Sequence, residues 1–209
     1  MTTVPTTAAE SRAPTPRRGR PGYSREAVLD VAVALFNERG YDATSVADLA
    51  ERLGVSKSAL YHHFTSREQL LDVALDRALS GLERLLDAPE ATTGPAVERL
   101  RFVLRGAVVV LVDELPFVTL LLRVRGNSAV ERRALARRRS FDHRVTALVA
   151  EAQRAGELRT DLDAAVATRL LFGMVNSLTE WYRPDGPVDA ATLADDIVRT
   201  GLDGLASRR

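Results

Sequence analysis

The chain has 209 residues, 45% hydrophobic and 27% charged, a composition suited to one folded domain or two small ones that excludes disorder along the whole length. It has no cysteine, which excludes a disulfide framework, thiolate chemistry and zinc–thiolate sites and leads us to expect a reducing, cytoplasmic location. The formal net charge is only +1, yet Arg12, Arg17, Arg18, Arg20 and Arg25 follow one another with no acid among them, so positive charge gathers at the N-terminal end.

Residues 1–22 are poor in large apolar side chains and rich in Pro, Thr and Arg, which predicts a flexible basic arm rather than a signal peptide or membrane anchor. From Tyr23 the pattern is helical: Val28, Val31, Ala32, Leu35 and Phe36 recur on one face between a Ser24 cap and a stop at Gly40. A second helix starts at Thr44 or Ser45, buries Val46, Leu49, Ala50 and Leu53, and stops at Gly54. A third starts at Ser56 and runs to about Phe64. Thr65 with Glu68, or Ser66 with Gln69, can form the capping box of a long fourth helix that ends before Pro89.

Residues 91–95 are expected to be a loop. The stripe Val97, Leu100, Leu104, Val108, Leu111 and Leu115, widened by Val103, Val109 and Val110, predicts a central helix buried nearly all round. A short helix from Pro116 to near Gly126 follows, then a long one from Val130 to about Ala155. Asp161 or Asp163 caps a helix to Arg183, and Asp189 caps the last, to about Ala206. Period-two alternation is not sustained anywhere, so the fold class expected is all-α.

A short helix, a glycine turn and a second short helix form the helix-turn-helix arrangement that places its second helix in a DNA major groove. On the third helix Leu60 and Phe64 share a core face, Ser58, Tyr61 and His62 point the opposite way, and Lys57 flanks them. Hydroxyls and cations of this kind suit phosphates and base edges. The plainer alternative is a helical hairpin carrying an aromatic surface patch.

The stretch YDATSVADLAERLGVSKSALYHHFTSREQLL, residues 41–71, resembles the DNA-binding signature of the tetracycline-repressor family (TetR/AcrR type) of bacterial transcription regulators. It matches at Thr44, Val46, Ala50, Gly54, Val55, Ser56, Leu60, Tyr61, Phe64 and Leu70, while Leu35, Phe36 and Gly40 fit the preceding helix. The family usually has lysine where this chain has Arg67. The resemblance implies a three-helix DNA-binding domain over residues 23–69 and a helical effector-binding and dimerisation domain over residues 70–209. It also implies that Thr44, Lys57, Tyr61, His62 and Arg67 hold phosphates of a double-stranded DNA operator, with Ser58 and Ala59 nearest the bases. Apart from the resemblance, the arm itself suggests either that Arg18 and Arg20 enter an adjacent A·T-rich minor groove or that it is a solvated tail.

In the second domain Val166, Leu170, Met174 and Leu178 form one row, beside Gly173, Ser177 and Trp181. The last helix repeats the mixture of bulky and small residues with Leu193, Ile197, Gly201 and Gly204. Such stripes predict close helix approach and an isologous homodimer through the last two helices. LLFGMVNSLTEWYRPDGP, residues 170–187, also resembles the C-terminal part of members that answer acyl-coenzyme A thioesters.

Within VERRALARRRSFDHR, residues 130–144, Arg132 and Arg139 should face water, whereas Arg137 lies on the apolar stripe and Arg138 borders it. A guanidinium held there needs an anion. An internal carboxylate such as Glu114 or Glu180 is favoured over the acidic head of a ligand. In the ligand version, a small hydrophobic effector lies among Leu104, Val108, Leu122 and Met174 with its head on Arg137 or Arg138.

Catalysis is not expected. The three histidines offer no acid–base or metal constellation, His62 and His63 pointing about 100° apart on a helix, and no cofactor or metal is implied. The more serious alternative to an effector-responsive repressor is a helix-turn-helix protein without an effector, architectural or division-linked.

Overall fold

The computed structural model describes residues 23–204, so the expected basic arm with Arg18 and Arg20 lies outside the described residues. Within them every regular element is helical, in agreement with the all-α expectation. Helix α1 (Arg25–Arg39) is capped by the Ser24 side chain and ends at Gly40, whose φ of 88° stops helical propagation. Helix α2 (Val46–Leu53) opens on a reciprocal Ser45–Asp48 capping box and ends at Gly54, at φ 64°. Helix α3 (Lys57–Tyr61), capped by Ser56, is shorter than the periodicity predicts. Its continuation is a turn in which the His63 and Phe64 amides both donate to the Leu60 carbonyl, and this keeps Phe64 in the core.

Helix α4 (Arg67–Asp87) takes Ser66 as its cap, and Gln69 reaches back to the Thr65 amide and hydroxyl, one residue further than either expected box. Where a loop is expected there is a one-turn helix, α5 (Pro89–Thr92), started by proline and anchored by buried Ala91. Helix α6 (Ala96–Asp113) is central as predicted, packing against α4, α8 (Ala129–Arg154), α9 (Ala164–Trp181) and α10 (Ala190–Val198). Helix α7 (Leu115–Arg123) begins one residue before Pro116 and stops short of Gly126. The chain leaves α10 through one π-helical turn, Arg199–Asp203.

Helices α4 and α6 cross closely because glycine stands at the contact. A Cβ on Gly106 would lie 2.4 Å from Leu85 Cδ2, and one on Gly81 would lie 2.9 Å from Val110 Cγ1. One continuous core runs from Leu35, Phe36, Leu49 and Leu60 in the N-terminal head through Leu71 and Leu75 of α4 to Leu100 and Leu104 of α6. Each such leucine contributes about 2 kcal/mol by leaving water. The head is also tied to the body by directed bonds. The Asn37 side-chain amide donates to the Pro116 carbonyl at 2.8 Å, Arg123 donates to the Asn37 carbonyl at 2.7 Å, and Arg77 of α4 bridges Glu114 and Glu26 at 2.6 and 3.2 Å.

Candidate functional site

Helix α3 and the turn after it are held by Leu60 and Phe64, while most of their other side chains face outward. Lys57, Ser58 and His62 are exposed, Tyr61 is 52% exposed, and Ala59 is half-buried. Among the described residues the side chains of Lys57, Ser58, Tyr61 and His62 find no hydrogen-bond or ion-pair partner. Two hydroxyls, a cation and an imidazole are therefore displayed on one short helix and its C-cap with their donor capacity unspent, as phosphate and base-edge recognition needs.

Two residues assigned to phosphate are spent elsewhere. Thr44 has 0% exposure, and its hydroxyl donates to the Gly40 carbonyl at 2.8 Å. Arg67 sends Nη1 to the carbonyls of Tyr41 (2.9 Å), Asp42 (3.3 Å) and Thr44, with its guanidinium 4.3 Å from the centre of the Tyr41 ring. The physical reason is the turn between α1 and α2, whose carbonyls lack helical partners and take these donors instead. Burial raises the Tyr41 phenol pKa above its ordinary value. Both residues thus position α2. Sequence reasoning also missed Arg52, paired with Glu38 of α1 at 2.6 Å, and Arg25, which stacks 4.8 Å from the centre of the Phe64 ring.

The expected apolar effector pocket is not assembled. Leu104 and Val108 are fully packed in the core, Leu122 borders a 660 Å³ depression shared with Phe36, Asn37 and Tyr41, and Met174 borders a separate 370 Å³ pocket with Leu158, Leu171 and Gly201. Arg137 has an internal anion, as favoured, but from α4: it grips Glu83 at 2.8 and 2.7 Å and Asp76 at 2.8 Å. Glu114 belongs instead to Arg77. The bidentate bond to Arg137 holds the Glu83 carboxyl below the usual carboxylate range and raises the Arg137 pKa. Arg137 is therefore a helix-to-helix tie with no group left for an effector.

Arg138, one residue on, faces another way. With Arg139, Asp142, His143, Thr146, Arg169, Phe172, Gly173 and Asn176 among its walls, a 370 Å³ pocket opens between α8 and α9. Burial pushes the Asp142 carboxyl pKa up, and the charges of Arg138, His143 and Arg169 partly offset this.

The α9 residues assigned to the dimer lie on one open face. Leu170 is 61% and Trp181 54% exposed, Val166, Gly173 and Ser177 lie between or beside them, and a Cβ on Gly173 would meet nothing within 4 Å. The α10 residues do not join them. Ile197 is buried against the chain's own core, and a Cβ on Gly201 would stand 2.6 Å from Leu171 Cδ2 and 2.9 Å from Met174 Cε. Gly204 ends the π turn at φ 79°. Of these two glycines, Gly201 serves packing within the chain and Gly204 the turn of the backbone. Among the described residues no helix is long and apolar enough to cross a membrane.

Comparison with known proteins places this geometry. A family profile described as "Bacterial regulatory proteins, tetR family" matches residues 28–74, and "Tetracyclin repressor-like, C-terminal domain" matches residues 93–205. The chain is 30% identical over 203 residues to the HTH-type transcriptional repressor KstR2 of Rhodococcus jostii, covering 90% of this chain and 94% of that protein. Among solved structures, SCO3833 of Streptomyces coelicolor superposes with a TM-score of 0.83 at 50% identity, covering 86% of this chain and 91% of the other. AibR, solved in complex with isovaleryl coenzyme A and operator DNA, superposes with a TM-score of 0.70 at 25% identity over 84% of this chain and 96% of its own.

Proposed function

The chain belongs to the TetR family of bacterial regulatory proteins, and from that premise we propose that it is a cytoplasmic, homodimeric transcription repressor released from its operator by a small hydrophobic effector. Residues 23–69 act as the DNA head and residues 70–209 as the effector and dimerisation body. The observation that carries the reading is the open face of α3, where Lys57, Ser58, Tyr61 and His62 are presented together and left unpaired. The α9 face carrying Leu170, Gly173 and Trp181 supports the dimer, because two copies are needed to set two reading helices one DNA turn apart. Relatives named as repressors, and one solved with isovaleryl coenzyme A, support an acyl-coenzyme A thioester as the effector.

The switch runs through α4, which starts in the head at Arg67 and is tied to the body at Arg77 and through the grip of Arg137. A coupling of roughly 1 to 3 kcal/mol between effector and operator is enough to change affinity 5- to 150-fold. The test is selection of an operator from random duplexes, followed by titration of the complex with acyl-coenzyme A thioesters, free fatty acids and planar drugs. Release by a thioester is expected. Release by a drug alone would replace the acyl reading with a multidrug-type sensor, and release by nothing would favour the regulator without effector.

A further inference from the structure

Arginine supplies almost all the positive charge of this chain, and most of it is spent internally. Among the described residues, arginines 39, 52, 77, 99, 101, 105, 133, 137, 144, 159 and 199 sit in ion pairs, 67, 123, 132 and 183 bond carbonyls, and Arg25 stacks on a ring. Among the described residues Arg84, Arg125, Arg138, Arg139, Arg154 and Arg169 find no partner by hydrogen bond, ion pair or ring contact. Half of these line one pocket.

That pocket is built from facing rows of two helices. Arg138, Arg139, Asp142, His143 and Thr146 come from α8, and Ala165, Thr168, Arg169, Phe172, Gly173 and Asn176 come from α9. The Thr146 and Thr168 hydroxyls already donate to Asp142 and Ala164 carbonyls at 2.8 Å, so the free donors are the three guanidinium groups, His143 and the Asn176 amide. Phe172, buried and edge-to-face with Phe141 at 5.3 Å, gives an apolar wall. Among the described residues the one acid lining the pocket is Asp142, which cannot neutralise three guanidinium groups. Gly173, on the α9 face proposed for the dimer, leaves the rim open in the single chain.

We propose that this α8–α9 pocket is an anion-binding site in which Arg138, Arg139 and Arg169 take the phosphoryl groups of a ligand whose apolar part lies against Phe172. Planar guanidinium forks match phosphate oxygens, and two or three of them around 370 Å³ accommodate more than one phosphoryl charge. The inference rests on the effector reading above, which it deepens by giving the effector's charged half a place. The same phosphoryl chemistry is supplied by a coenzyme A thioester or by free pyrophosphate, and the experiment separates them.

Binding to the full-length protein, without DNA, is measured by calorimetry and by the fluorescence of Trp181, the only tryptophan. The probes are isovaleryl coenzyme A, free coenzyme A, pyrophosphate and a free fatty acid. The variants are R138Q, R169Q, their double and R154Q, the last removing an unpaired arginine far from the pocket. We expect coenzyme A and its thioester to bind, the double variant to weaken them by about tenfold or more, and R154Q to bind within about threefold of wild type. Pyrophosphate binding with the same dependence, and no thioester preference, would keep the anion site and assign it to free phosphates. Equal thioester binding in wild type and the double variant would overturn the site while leaving effector release intact. Sedimentation showing that the double variant is monomeric, with no probe bound by wild type, would also overturn it and make these arginines interchain partners. Failure of the effector reading is seen separately, as bound thioester that leaves the operator complex unchanged.

Discussion

Helices α9 and α10 carry the same device in sequence, small residues set into bulky apolar stripes, and the fold uses it in opposite ways. On α9 the row Val166, Leu170, Gly173, Ser177 and Trp181 stays open, and a side chain added at Gly173 meets nothing. On the last helix and its π turn the apolar row faces α6, and Gly201 sits against Leu171 and Met174 of α9. A glycine in an apolar stripe therefore announces a close neighbour without saying whether it belongs to the same chain. The two can be told apart only by what already fills the space.

The largest effect that would break this contrast is at Gly173. Gly173→Leu is expected to leave thermal unfolding of the single chain near wild type but to convert a dimer into monomers, with operator affinity falling roughly 100-fold or more as the two heads lose their linkage. Sedimentation and gel shift measure it, and an unaltered dimer would move the interface off α9. Gly201→Leu should do the reverse. Forcing a branched side chain onto Leu171 and Met174 costs about 1 to 3 kcal/mol, lowering Tm by about 2 to 4 °C per kcal/mol in a chain of this size, with the oligomeric state retained.

The head holds a parallel contrast between residues spent inside and residues left open. Arg67→Ala removes the donor shared by three carbonyls and should cost about 2 kcal/mol of stability, with an unchanged salt slope of operator binding. Lys57→Ala should behave in the opposite sense, leaving Tm alone and lowering the salt slope by about one unit. A wild-type slope in that variant would remove Lys57 from the DNA contacts. The smallest effect concerns Glu83, whose pKa Arg137 holds down. A carboxylate with a lowered folded pKa stabilises above its unfolded value, about 4.3, and loses that contribution as pH falls through the folded value. The stability gap between wild type and R137Q, about 1 kcal/mol after solvent screening, should be flat at neutral pH and close in acid.

Local physics made much of this legible in the sequence. Ser24, Ser45, Ser56, Ser66, Asp163 and Asp189 all accept the amide bonds that mark helix starts, and Gly40 and Gly54 end the helices they are expected to end. Leu60 and Phe64 are inside and Tyr61 and His62 outside, because helical spacing alone separates those faces. Long polar side chains are another matter. The resemblance gives Thr44 and Arg67 to phosphate, yet the nearest unsatisfied acceptors are carbonyls of their own turn, which for Arg67 lie more than twenty residues back in the chain. Arg137 was expected to find an internal anion and did, but periodicity could not say that α4 rather than Glu114 or Glu180 would supply it.

The pattern of apolar spacing, caps and glycine stops by itself determined that the regular elements among the described residues are helices, where the helix-turn-helix lies, and which side of α3 faces out. Those are properties of short segments, and the energies involved act within a turn or two of the chain. Only the tertiary structure decided that Leu104 and Val108 fill the core instead of lining a pocket, that Gly201 packs inward while Gly173 stays open, and that Arg138 and Arg169 meet across two helices around the single carboxylate of Asp142. A charged or small side chain takes its role from whatever stands a few ångströms away, and for these residues that neighbour comes from a distant part of the chain.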